Sequence, residues 1–264
     1  MNRPCAICNE LRAESDSRLS SALDDSRYTN AVLLATEHFA VIPSVGPLAV
    51  GHSLVVTRGH SSNVIADLDE SELDELRCIC DASCKKILAG KPGLKLFYFE
   101  HGSRSELRST LCSTSHGHLH QLPLRERDIE AVLRSVGGQK FEIGTFLDLS
   151  RILDTLEEYI LAFSLDADRN GSLSGIVMDA SRAPSQYLRK LIADQLGSSR
   201  WNWKTDTNPD LLRETLALGF QPNRRVSVDP PDQRTSSREH NQGLAGFESK
   251  NLGQIWVKYL PKTS

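Results

Sequence analysis

The stretch STSHGHLHQLP, residues 113–123, sets His116, His118 and His120 two apart in a chain with 8 His among 264 residues. In an extended strand, alternate side chains share a face. The three imidazoles are therefore predicted on one face of a strand, with Gly117 and Leu119 on the other. Core filling does not account for three polar rings in a row. Imidazole is a metal ligand, and near neutral pH it is also a base or nucleophile. This segment thus predicts a strand that carries a chemical site.

The elements around it read outward from that strand. LKLFYFEHG, just upstream, is a strand. DLDESELDELRCICDASCKKILAG is the clearest helix, with acids in its first turn, lysines in its last, and Gly90 to end it. Its Leu73, Leu76, Ile79, Cys80, Ser83, Ile87 and Leu88 approximate one face. AVLLAT, HFAVIPSVG and GHSLVVTRGH read as three more strands. RAESDSRLSSALDDSR reads as loop or weak helix. Downstream, RERDIEAVLRSVGG is a short helix, and YILAFSLD and GIVMDA are strands. SQYLRKLIADQLG is a helix with Ser185 as its cap, and NPDLLRETLALGF is the last helix. From about Pro222 the composition turns polar and reads as a loose tail. These shifts divide the chain into residues 1–135, 136–222 and 223–264.

Bulk composition excludes several classes of function. The chain is 39% hydrophobic and 25% charged, with a formal net charge of −3. That balance predicts a globular protein and argues against a general nucleic-acid-binding surface. No apolar run reaches the roughly 18 residues a membrane span needs. The N-terminal MNRPCAICNE lacks the apolar core of a signal peptide, so a cytoplasmic location is expected. The six cysteines are then thiols or metal ligands rather than disulfides.

Cys5 and Cys8 have a spacing that lets two thiolates hold one zinc ion from a tight turn, although redox pairs share it. Such a site needs two more ligands, and His60 and His116 are candidates. Arg104 and Arg108, ahead of the triad, are candidate phosphate partners, with a solvated loop as the alternative. Trp201 and Trp203 could stack on a base, but packing against the preceding helix is the better expectation. His52 could line the nucleoside side of the site or cap a strand, with the cap the better expectation. The basic helix that carries Arg189 and Lys190 could face substrate, with a solvated face the better expectation.

HGHLHQL resembles the signature of the histidine triad superfamily. The order of parts also matches: a CxxC, the strand GHSLVVTRGH, a helix, a strand, then the triad, over roughly residues 1–125. The resemblance implies an α+β fold with an antiparallel sheet, helices and an N-terminal zinc knuckle. Beyond it lies a smaller C-terminal α/β block. It implies a nucleotide or nucleotide-conjugate substrate, and hydrolysis or nucleotidyl transfer at the α-phosphate. His118 would be the nucleophile, and His120 would contact phosphate oxygens. Ser113 would hydrogen-bond the phosphate or leaving group. Cys5, Cys8, His60 and His116 would hold a structural zinc ion. A homodimer is also implied. Two positions depart from the family pattern at the nucleotide side. Glu100 stands where an Asn is usual, and Ser44 stands where many members have a ribose-binding Asp. Gly117 stands where an apolar residue is usual. Two rival readings remain: a hydrolase whose three histidines hold a catalytic metal, and a nucleotide-binding module without turnover.

Overall fold

The computed structural model describes residues 5–12, 17–26, 28, 32–104, 116–166, 171–181 and 183–218. Its frame is one antiparallel sheet of eight strands in the order β1-β2-β3-β5-β4-β7-β8-β6. The first five are β1 (Leu34–Ala35), β2 (Phe39–Pro43), β3 (Ser53–Thr57), β4 (Leu94–Ser103) and β5 (His118–Arg125). The others are β6 (Gln139–Ile143), β7 (Glu158–Asp166) and β8 (Ser172–Asp179). With seven helices among the described residues, the fold is α+β. The triad strand lies near the middle, with β3 on one side and β4 on the other.

Strand alternation sorts the side chains into two cores. One face carries Val41, Val55, Leu119, Tyr98, Leu161 and Val177. It is covered by α3 (Glu70–Ile87) and α5 (Phe146–Leu153). The other carries Phe97, Phe99, Leu122, Ile160 and Ala162 under α4 (Glu126–Ser135) and α6 (Tyr187–Gln195). On that second face, Ala40, Ile42 and Val56 meet α1 (Ala6–Arg12), α2 (Arg18–Leu23) and α7 (Pro209–Leu216).

Helix α3 follows its sequence signals. Asp69 caps it in a reciprocal box with Glu72, and Leu73, Leu76, Ile79, Cys80, Ser83 and Ile87 are buried. Burial of a Leu or Ile stabilises by about 1.5–3 kcal/mol, so this one face fixes the helix on the sheet. Gly90 follows with a φ of 70°, a conformation glycine adopts without strain.

Several elements differ from expectation. RAESDSRLSSALDDSR contributes a real helix, α2, whose Ser17 side chain accepts from the Ser20 N–H. The segment before β7 forms β6 and α5, which lack a strong sequence signal of their own. Ser185 does not cap α6. The cap position is Gln186, in a left-handed conformation, and its amide donates to Asn202 at 3.0 Å. The strands before and after residue 135 belong to the same sheet. β7 pairs with β4 from Phe97↔Ser164 to Ser103↔Glu158, so this C-terminal block extends the sheet that carries the triad. Residues 223–264 lie outside the described residues.

Candidate active site

The triad histidines divide between two places. His118 and His120 point into a cleft on the second face, whose wall also includes Ser44, Leu54, Phe99, His101, Arg189 and Trp203. His116 precedes the start of β5 and joins the cysteines instead. The ligand atoms of Cys5, Cys8, His60 and His116 all lie within 4.8 Å of one another. Cys5 Sγ and Cys8 Sγ are each 3.5 Å from His116 Nδ1, and Cys8 Sγ is 3.5 Å from His60 Nδ1. Metal–ligand bonds of about 2.0–2.3 Å put tetrahedral ligand atoms roughly 3.3–3.8 Å apart, so this spacing suits one ion. The two cysteines do not come from a tight turn: Cys5 precedes α1 and Cys8 lies in its first turn.

Hydrogen-bond partners assign the ring nitrogens. His116 Nε2 lies 2.8 Å from the Thr57 carbonyl, which can only accept. The Thr57 hydroxyl, 3.2 Å away, gives its own proton to Gly59 O, so it too accepts from His116. Nε2 therefore carries the proton, and Nδ1 presents its lone pair to the thiols. Burial pushes the Cys5 thiol up, but its contacts with His116 and with Cys8 outweigh it and bring the value to about 6. A cluster with a thiol that ionises so readily can hold a metal ion.

The next histidine has the opposite tautomer. His118 Nδ1 is 2.9 Å from the His116 carbonyl, so Nδ1 donates, and in the neutral ring Nε2 holds the lone pair. Burial lowers its pKa to about 4. The third is set by a histidine that a strand-capping role does not describe. The Leu48 N–H donates to His52 Nδ1 at 3.1 Å, so the proton of His52 is on Nε2. That Nε2 lies 2.9 Å from His120 Nδ1, which must accept. His120 consequently carries its proton on Nε2, with its ring stacked on Phe99 at 4.2 Å and 7°. Burial holds both His52 and His120 well below the ordinary histidine value.

Gly117 now has a reason. Its N–H donates to Ser61 O at 2.6 Å, and a Cβ would run into the Asn63 backbone. An apolar side chain between the first two histidines would push the triad away from the segment that carries His60.

Other expected site residues fall in different places. Ser44 lines the cleft, with its N–H bonded to His52 O at 3.1 Å. Glu100 does not line it. The period of two sends Glu100 to the α3 side of β4, where it accepts from Val64 N–H at 2.6 Å and Tyr159 O–H at 2.9 Å. Burial pushes its carboxyl up to about 7. The next residue, His101, takes the cleft-facing position. Arg104 is tied to Asp154 at 2.8 Å and Asp67 at 3.4 Å, away from the cleft. Trp201 packs against the second core as expected, whereas Trp203 lines the cleft with the Arg18 guanidinium 4.8 Å above its ring. Ser113 and Arg108 lie outside the described residues.

His101 is a functional candidate that the sequence reading missed, whereas His52 and Arg189 are candidates it ranks below a structural or solvated role. The alternation Phe99–His101 along β4 was a usable signal for the first. The local pattern around Arg189 favours a solvated face, because its place in the cleft depends on how the C-terminal block folds back.

Neither a family model nor a curated protein matches the sequence. Among solved structures, the chain is similar to a hypothetical histidine triad nucleotide-binding protein from Sulfolobus tokodaii. Identity is 28% over 36% of this chain and 61% of that one, with a TM-score of 0.29. A HIT family member from Bacillus subtilis is 17% identical over 47% of this chain and 76% of that one, at 0.34. A HIT family protein from Bacillus anthracis is 19% identical over 34% of this chain and 61% of that one, at 0.28. These neighbours are histidine triad proteins. The chain spans about three fifths of the first and third of them. The overlaps are partial, and the reading of the cleft rests on its own residues. No helix among the described residues is long and apolar enough to cross a membrane.

Proposed function

We propose that the protein cleaves a nucleotide or nucleotide conjugate at its α-phosphate by attack of His118 Nε2. The observation that carries this reading is the bond from His118 Nδ1–H to the His116 carbonyl, which leaves the lone pair on the nitrogen a nucleophile needs. Burial keeps that ring neutral at neutral pH, so it brings no proton of its own to remove. In the first step a P–N bond forms, and the P–O bond to the leaving group breaks with its electron pair. In the second, water attacks phosphorus, the P–N bond breaks, and the water proton passes to solvent. Splitting the displacement in two lowers each barrier. His120 Nε2–H donates to a phosphoryl oxygen, where charge develops in the transition state. Ser44 in the wall and Ser113 ahead of the triad are the hydroxyls that would contact the substrate. Hydrolysis is preferred over transfer, because no second acceptor site is evident among the described residues.

The cysteine–histidine cluster would hold zinc, since two sulfurs and two nitrogens are its common structural donor set. With four protein ligands the site is closed, and the ion would tie α1 to the segments holding His60 and His116. The placement of His116 with the cysteines favours this reading over a metal held by all three histidines.

The test is incubation with a panel of nucleoside polyphosphates, nucleotide sugars and nucleoside phosphoramidates in 18O-water. The expected result is a nucleoside monophosphate carrying one 18O, formed by the wild type and lost in His118→Ala. Consumption of nothing in the panel would contradict the reading.

A further inference from the structure

The C-terminal block grips the loop between β2 and β3. Gly46 N–H donates to Thr207 O at 3.2 Å, and Gly46 O accepts from the Arg189 guanidinium at 2.5 Å. Pro47 O accepts from Asn208 Nδ2 at 3.1 Å, and Gly51 N–H donates to Thr215 Oγ1 at 2.9 Å. The fit is close: a Cβ on Gly46 would run into Asp206 O and Trp203.

One of these bonds bears on the triad. Pro47 O and Leu48 N–H belong to one planar peptide group, so what Asn208 holds on one side is what His52 meets on the other. That N–H makes a choice the two histidines cannot make alone. His52 Nε2 and His120 Nδ1 lie 2.9 Å apart with one proton between them, and either neutral ring could carry it. If His120 carried it, His52 would hold its own proton on Nδ1, against the Leu48 N–H. His120 would then turn a lone pair to the cleft in place of a donor. The Leu48 N–H disfavours that arrangement, and burial keeps both rings neutral.

Asn208 is built for this task. It is buried, in a left-handed conformation with a φ of 45°, which Asn tolerates better than most residues. Its partners fix the direction of its amide. Oδ1 accepts from Arg200 Nη1 at 2.6 Å, so Nδ2 faces the Pro47 carbonyl. Donors thus point one way from Arg200 through Asn208, the Pro47–Leu48 peptide, His52 and His120 to the cleft. In such a chain each bond polarises the next.

We propose that Asn208 is a positioning residue: by holding the Pro47–Leu48 peptide it sets the tautomer of His120 and keeps a donor aimed into the cleft. The C-terminal block acts on the triad through this peptide. The consequence for turnover rests on the proposed roles of His118 and His120, and the consequence for the tautomer does not.

Histidine 15N NMR and a double-mutant cycle test this. In the wild type, His52 and His120 should each show one neutral tautomer, with the proton on Nε2. Asn208→Asp keeps the size but offers Pro47 O no proton, so both rings should shift toward the other tautomer. On the substrate the wild type consumes, kcat should fall about 10-fold with KM within about 3-fold. In a His52→Phe background, where the link is already cut, the same substitution should cost under about 2-fold. If Asn208→Asp fails to fold, Asn208→Gly, which suits a positive φ, takes its place in both measurements. An equal loss in both backgrounds, ring signals that the substitution leaves unchanged, or a wild-type His120 with its proton on Nδ1 would each overturn the proposal. If no substrate is consumed, the nucleophile reading fails, and the ring signals alone decide this one.

Discussion

His116 and His118 are two residues apart, yet one faces two cysteines and the other faces a cleft. The same ring differs between them only in which nitrogen is already engaged. Thr57 takes the Nε2 proton of His116 and frees Nδ1 for ligation. The His116 carbonyl takes the Nδ1 proton of His118 and reserves Nε2 for chemistry. His120 is a third case, with Nδ1 held by His52 and Nε2–H turned to the cleft. Spacing puts imidazoles in place, and the partner of the second nitrogen sets what each can do. One backbone link joins the two regions, because the residue that would hold metal also supplies the carbonyl that orients the nucleophile.

The largest effect expected from that link is on the metal side. Cys8→Ser removes one of four ligands, and structural zinc sites commonly contribute most of the stability of the segment they tie. The melting temperature should fall by about 10 °C or more, zinc content should drop below one per chain, and activity should fall with it. Calorimetry with elemental analysis checks this. A variant that lost zinc but kept its melting temperature would separate the two regions.

A smaller effect is expected at His52. His52→Phe takes away the donor to His120 and leaves the Leu48 N–H unanswered, and kcat should drop by about 100-fold with zinc retained. His52→Asn, whose amide can still donate, should recover part of the loss. If Phe and Asn behave alike, His52 serves packing rather than the orientation of His120.

The pH dependence of stability separates the two faces of the sheet. His52, His118 and His120 titrate below their ordinary value of 6.5, His118 near 4. As pH falls below about 6.5, the unfolded chain takes up protons that the folded one does not, so stability declines toward pH 4. Glu100 has the opposite sign. Its folded value of about 7 lies above the ordinary 4.5, so its contribution is complete below 4.5 and is lost as pH rises through 7. Thermal melts of Glu100→Gln should show a steeper loss of stability than the wild type as pH falls from 7 to 4.5, because the opposing contribution of Glu100 is gone. Activity should stay within about 3-fold, because Glu100 lies across the sheet from the cleft. A large loss of activity would return Glu100 to the substrate side.

Much of this site was legible in the sequence for physical reasons that can be named. Period-two spacing and a CxxC are local, and so Cys5, Cys8, His60 and His116 could be grouped before any fold was known. Helix α3 was legible because its cap, face and stop are all encoded within its own residues. The Glu100 position was misplaced because a motif position was followed where strand alternation points to His101. The His52–His120 contact joins residues 68 apart across β3 and β5, and depends on pairing register. Arg189 is more remote still, because it reaches the cleft only after β7 pairs with β4 and α6 packs back over the sheet. Segments β6 and α5 were missed because their patterns are short and mixed, and the neighbouring strand and helix decide them.

The most direct measurement is intact-mass spectrometry of wild type, His118→Ala and His116→Ala after incubation with the substrate the wild type consumes. The quench is made without acid, because a phosphorus–nitrogen bond is acid-labile, and zinc is counted in the same samples. The account predicts a one-nucleotide adduct on the wild type, no adduct but full zinc for His118→Ala, and lost zinc for His116→Ala. An adduct that survives in His118→Ala, or zinc lost with His118, would contradict the division of labour between the two histidines.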